Sequence, residues 1–319
     1  GTFGKVKQRL RGFTDRLQLP PVYEYLIHKP KGKGRFEFYI GVDTSHPETS
    51  FDNLEAKVST QYPSDFQFEQ STFDIGGAFD EQPQLVKWEA VEERYGDWMT
   101  QLNILEGDVL NRSPMSEMLQ SVVHRDEGFV FQILFQPRYD WSTKAERKKN
   151  STIGSTLEQL LNLDVQENTH KPDVELGASA QGLEAAESRS EQIDQKDPSH
   201  TFNVSIRAAC DSEHLAERLR HTLDPFDGEY YRIRGKLVGR DEMEWERMVN
   251  HEITYPKGFH SLRKKKPTFV MGTKELVGFV TVPSLDALPK AARSGTGGTP
   301  ASQSPLTTPK EEFYDAFDK

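Results

Sequence analysis

Two stretches of the chain carry the same succession of apolar and polar positions. In the first, from Arg35 to Phe73, the residues Phe36, Phe38, Ile40 and Val42 alternate with Glu37, Tyr39 and Gly41. This period of two lays one face of a strand on a core. Behind Ser50, a good N-cap, Phe51, Leu54, Val58 and Tyr62 recur at helical spacing. Pro63 ends that run because it has no amide donor, and Phe66 and Phe68 restart a strand. The order returns from Thr201 to Val238. Phe202, Val204, Ile206 and Ala208 predict a strand, Leu215, Leu219 and Leu223 a helix face stopped by Pro225, and Tyr231, Ile233 and Leu237 a returning strand.

Each unit extends into a second half. Leu85 to Leu105 is strand-like but ragged, and Ser113 then caps a helix with Pro114 at its first position and Met115, Met118, Leu119 and Val122 on its apolar face. Phe129, Phe131, Ile133 and Phe135 predict a buried strand. In the second copy Met243, Trp245, Met248 and Val249 predict a helix with Asp241, Glu242 and Glu244 in its first turn, and Leu276 to Val282 a last strand closed by Pro283. The pattern predicts an α+β fold of two ferredoxin-like (βαββαβ-type) units, each an antiparallel sheet with helices on one face.

The expected domains are an N-terminal extension over 1–34, a first unit over 35–149, an acidic linker over 150–200, a second unit over 201–285, and a Gly, Ser, Thr and Pro-rich tail over 286–319. The 150–200 stretch has no aromatic residue and carries ten acids against Lys171, Arg189 and Lys196, too little apolar surface to offset the entropy of ordering it. Within it, Leu157 to Leu163 has the pattern of a helical turn or two.

Charge and chemistry narrow the function. The net charge is −10 over 319 residues, which argues against a chain that coats nucleic acid throughout, yet the acidic linker masks local basic patches. The single cysteine, Cys210, excludes an intramolecular disulfide and a cysteine metal cluster and fits a reducing cytoplasm. Apolar runs have strand length, so no transmembrane segment is expected. The chain starts at Gly1 rather than Met, as a processed form or a fragment would.

Catalytic motifs are scarce. Gly4-Lys5-Val6 lacks the upstream glycine loop and the hydroxyl of a phosphate-binding loop, and there is no GxSxG elbow and no HExxH pair. His214 and His221 sit seven apart on one predicted helix without a third metal ligand. No catalytic residue, metal site or cofactor is therefore predicted. Acids such as Asp43, Asp52 and Asp74 keep open an enzyme with a dispersed carboxylate site.

Two basic features stand out. Arg232, Arg234 and Lys236 alternate with apolar residues and should project from the solvent face of one strand, with Arg207 on the same polar face if its strand joins that sheet. Such a row suits phosphate contacts; the same pattern also describes a solvated strand face balanced by acids. The run Arg263-Lys264-Lys265-Lys266 is the second candidate nucleic-acid contact. Gly128-Phe129-Val130-Phe131 approaches an RNA-recognition signature, but without its preceding base these aromatics read as core.

The segments Phe36-Glu37-Phe38-Tyr39-Ile40-Gly41-Val42, Gln61-Tyr62-Pro63, Gly228-Glu229-Tyr230-Tyr231-Arg232-Ile233-Arg234-Gly235 and Lys274-Glu275-Leu276-Val277-Gly278-Phe279-Val280-Thr281-Val282-Pro283 together resemble the region before the motor in archaeal conjugation-type ATPases. These are similar to type IV secretion coupling proteins and to the HerA and FtsK group of DNA translocases. The resemblance spans about residues 22–285, and no Walker motif is present onto which nucleotide-binding residues could be carried. It implies a noncatalytic assembly and DNA-guiding domain of a DNA-translocating ATPase. Its expected partners are a RecA-like motor, DNA and further copies in a ring, and its expected place is the cytoplasm, peripheral to a membrane secretion channel. The alternative reading is a scaffold protein of a virus or mobile element.

Overall fold

A computed structural model describes residues 20–43, 50, 52–56, 71, 73–92, 94, 96–104, 114–152, 174–253 and 269–280. Its strands are β1 (Tyr23–Lys29), β2 (Glu37–Val42), β3 (Gln84–Glu92), β4 (Phe129–Pro137), β5 (Thr201–Cys210), β6 (Tyr231–Gly239) and β7 (Val270–Gly272). Its helices are α1 (52–56), α2 (Pro114–Val123), α3 (142–152), α4 (Val174–Gln195), α5 (Glu213–Leu219), α6 (Glu242–Val249) and α7 (Thr273–Val280). The fold is α+β, built on one seven-stranded sheet of order β2-β1-β4-β5-β3-β6 in which every pairing is antiparallel.

β5 is the hub. β4 runs along one whole edge, from Phe129 opposite Cys210 to Pro137 opposite Phe202. The other edge is shared, with β3 against Ile206–Cys210 and β7 against Thr201–Asn203. Past Trp88, β3 leaves β5 and continues with β6 alone.

The expectation of two separate units, each with its own sheet, is corrected by this order. β3, from the first sequence copy, lies between β5 and β6 of the second. Apart from α3 and α4, which lie between β4 and β5, the succession β3-α2-β4-β5-α5-β6 is a split βαβ arrangement, ordered in space as β6-β3-β5-β4 with α2 and α5 packed on the same face. It is drawn from both copies. Alternation determines which face of a strand is buried, whereas its neighbours are chosen by non-local packing, here of Val86, Trp88 and Ala90 with Ile206, Ala208, Tyr231 and Ile233.

Three further expectations change. Tyr23–Lys29, placed in an extension, is a sheet strand between β2 and β4, with Tyr25, Leu26, Ile27 and Lys29 buried. Residues 174–195 of the expected acidic linker form helix α4, which buries Ala186, Arg189 and Ile193 while Glu184, Glu187, Glu191 and Asp194 face outward. The predicted last strand is helix α7 instead. Leu276, Val277, Phe279 and Val280 are buried at helical spacing, and Glu275 reaches back to the N–H of Gly272 at the helix start.

Both faces of the sheet are covered over its centre. On one, Met118, Leu119 and Val122 of α2 and Leu215, Ala216 and Leu219 of α5 meet Phe131, Ile133, Ile206 and Ala208. On the other, Met248 of α6 meets Leu26, Leu85, Val130 and Ala209. The buried Phe129 and Phe131 are core residues. No described helix is long and apolar enough to cross a membrane. Phe66, Phe68, the 157–163 turns and most of the helix predicted behind Ser50 lie outside the described residues.

Candidate nucleic-acid interface

The sheet register aligns two of the predicted cations, Lys236 and Arg207, with Lys87 on one face. Lys236 stands opposite Lys87, and Lys87 stands opposite Arg207, so a row of like charges crosses β6, β3 and β5. Directly apposed like charges repel. The row is stable because acids are set into it. Glu89 lies 3.6 Å from Lys87 and also receives Lys236, while Glu244 of α6 lies 3.1 Å from Lys87 and 3.5 Å from Arg207.

Arg207 sits beneath α6 and is 2% exposed, which removes it from any contact with a polyanion. Its Nη2 donates to Glu252 O at 2.8 Å and its Nη1 to Gln132 Oε1 at 3.4 Å. Gln132 in turn donates to Glu24 Oε1 at 2.7 Å and to Met248 O at 3.0 Å. Burial pulls the Arg207 guanidinium below its ordinary value, and Glu244 opposes the shift. For Glu244, burial acts upward, but Lys87, Arg207 and Arg247 outweigh it and hold the carboxyl below its usual range. The expected member of a DNA stripe is thus the arginine that seats α6 on the sheet. Asp241 caps that helix by accepting from Glu244 N at 2.9 Å.

Arg232, Arg234 and Lys236 do lie on the outward face of β6, beyond the reach of α6. Arg234 pairs with Asp227, and Lys236 with Glu89. Val91, opposite Arg232 near the end of the β3–β6 ladder, is 42% exposed. The face is therefore alternating in sign, with an exposed apolar residue at one end. Arg263, Lys264, Lys265 and Lys266 lie outside the described residues.

A second polar centre was invisible in the sequence. Where β3 and β5 part, Lys196 Nζ donates to Thr100 O at 2.8 Å and Val270 O at 2.9 Å, lies 3.4 Å from Glu275 Oε1, and sits 4.5 Å from the Tyr231 ring centre. Glu275 also accepts from the backbone N–H groups of Leu102 and Gly272. The partners of Lys196 come from three distant stretches, 100–102, Tyr231 and 270–275, so no local motif announces the cluster. Nearby, Arg189 of α4 lies 3.3 Å from buried Asp97 and 3.9 Å from the ring centre of Tyr230.

The closest approach to a nucleophile constellation is Asp197, Ser199 and His200, within one turn. His200 Nδ1 faces both Ser199 Oγ, at 3.0 Å, and Asp197 Oδ2, at 2.8 Å. Because both contacts use the same ring nitrogen, the imidazole cannot pass a proton from serine to aspartate. The trio fixes the turn before β5. Asp74 likewise holds a turn, accepting from Gly76 N at 2.9 Å. Among the described residues no three His, Cys, Asp or Glu side chains are grouped to hold a metal.

The chain matches no family model, no curated protein and no solved structure.

Proposed function

We propose that this chain is a noncatalytic assembly domain whose exposed β3–β6 face receives a protein partner. The reading rests on one observation. The cations of that face are interleaved with Glu89 and Asp227 and run out to exposed Val91, a charge-balanced surface with an apolar residue at one end. Internally paired charge beside an exposed apolar residue suits a protein interface, whereas phosphate binding needs uncompensated positive charge. Together with the sequence resemblance, it supports the place of a domain standing before, or beside, the RecA-like motor of a conjugation-type DNA translocase.

The test is co-expression with the RecA-like ATPase encoded in the same reading frame or beside it. Val91→Glu should abolish the complex while leaving the circular dichroism spectrum unchanged. A complex that tolerates Val91→Glu would overturn the assignment of this face.

A further inference from the structure

The two outer strands of the sheet are finished differently. Along β6 the outward edge is occupied. Ile233 N donates to Asp227 Oδ1 at 2.8 Å, Gly228 N donates to Tyr231 O at 2.9 Å, and the Arg220 carbonyl oxygen lies so close to Gly235 that a Cβ there would come within 2.0 Å. Along β2 no strand, turn or side chain among the described residues takes the outward groups. Asp43 N donates to Val22 O at 2.9 Å, which sets the parity of the strand. Odd-numbered residues turn their backbone groups toward β1, and Phe36, Phe38, Ile40 and Val42 turn theirs to the open edge. All six residues of β2 are half-exposed.

We propose that this edge pairs with the same edge of a second copy, antiparallel about a two-fold axis at Tyr39, so that the sheet continues across a dimer. The strand reads alike in both directions from that residue. With Tyr39 facing its own counterpart, Phe38 faces Ile40, Phe36 faces Val42, Glu37 faces Gly41, and Arg35 faces Asp43. Each apolar pair falls on the face that carries the main core, against which Phe36, Phe38 and Ile40 already pack. Each is also a pair of residues whose N–H and C=O groups point outward, as hydrogen-bonded positions require. The charges close the strand at both ends with opposite signs, and both are exposed. Neighbouring registers are worse. A slip by one residue sets an outward residue against an inward one; a slip by two sets Glu37 against Asp43, or leaves Arg35 opposite Gly41. A two-fold interface repeats one patch on both subunits, and this strand is self-complementary in that sense. The proposal does not depend on the partner assigned to the β3–β6 face.

Sedimentation velocity on the full chain should show a species of twice the 36.4 kDa monomer mass. Arg35→Asp should weaken dimerisation about tenfold, the effect of losing one charged cross-strand contact twice over. Adding Asp43→Arg to that variant should restore it. Ile40→Pro removes an outward donor and no hydrogen bond to β1, along with part of the Ile40 packing, and should give a monomer that keeps its circular dichroism spectrum. Tyr39→Cys should form a disulfide dimer under mild oxidation, since residues facing each other at a non-hydrogen-bonded position stand about 4.5 Å apart at Cα. The native thiol, Cys210, is buried and does not compete. A chain that stays monomeric, a dimer indifferent to the charge exchange, or cross-linking of Tyr39→Cys no faster than that of Lys33→Cys in the exposed hairpin turn would each overturn the proposal.

Discussion

Lys196 Nζ lies 3.4 Å from Glu275 Oε1 with neither side chain measurably open to solvent beyond 2%. The pair joins the end of α4 to the start of α7 at the place where β3 and β5 part. Burial raises the Glu275 carboxyl and lowers the Lys196 ammonium, each against the pull of its partner. Such a pair is weak evidence for net stability, but removing one partner strands the other in a dry site.

Glu275→Ala leaves Lys196 without its counter-charge, on two carbonyls alone, and the amides of Leu102 and Gly272 without their acceptor. It should cost about 3–5 kcal/mol in urea denaturation. Lys196→Met leaves the carboxylate with its two backbone donors and should cost clearly less. Equal losses would show that the amides contribute nothing.

Gly235 and Gly278 should respond to alanine with opposite signs. At Gly235 a Cβ would lie 2.0 Å from the Arg220 carbonyl oxygen, where backbone cannot yield cheaply, so Gly235→Ala should lose about 3 kcal/mol. At Gly278, on α7, the nearest atom is Phe226 Cε1 at 3.5 Å, an ordinary contact. Replacing that helical glycine should gain about 0.5–1 kcal/mol. Denaturation midpoints of the two variants check both signs.

Two histidines on the α6 side of the sheet should give opposite pH dependences. His251 Nδ1 lies 2.9 Å from Glu24 Oε1, and this hydrogen bond raises its pKa above 6.5 despite burial. It therefore adds stability that is complete below the unfolded value and lost as pH rises through the raised one. His28 is lowered by burial, which outweighs its contact with Glu37 at 2.9 Å. It costs stability as pH falls below 6.5, and the cost is complete below the lowered value. Comparing urea midpoints at about pH 5.5 and pH 8, His251→Gln should lose an acid-side gain and His28→Gln an acid-side penalty. Parallel shifts in the two variants would contradict this.

The strands with clean alternation were legible: Phe129–Phe135, Phe202–Ala208, Tyr231–Leu237 and, from Glu37 on, Phe36–Val42 lie in the sheet. So was α2 behind Ser113-Pro114 and α6 behind Asp241. β1 was missed because it is covered on both faces, where Tyr25, Leu26 and Ile27 form an unbroken apolar run without period. α4 was missed because, among its residues of described burial, a thin stripe of Ala186, Arg189 and Ile193 is buried, and one of those three is charged. The apparent duplication misled on topology, since local patterns repeat while strand neighbours do not. For the candidate site, the common face of Arg207 and the β6 cations was read correctly, but the acids that neutralise it come from β3, α6 and the 224–228 turn. No spacing along the chain reveals such partners.

The central claim is that the cations of the β3–β6 face are balanced within the fold and serve assembly rather than phosphate binding. It is tested most directly by titrating a labelled DNA duplex with the wild-type chain and with the Arg232→Ala, Arg234→Ala, Lys236→Ala triple variant, at about 50 and 200 mM salt. Both proteins should show the same apparent affinity and the same salt slope. A triple variant that binds more weakly, with a shallower salt slope, would contradict it and restore that face as a DNA contact.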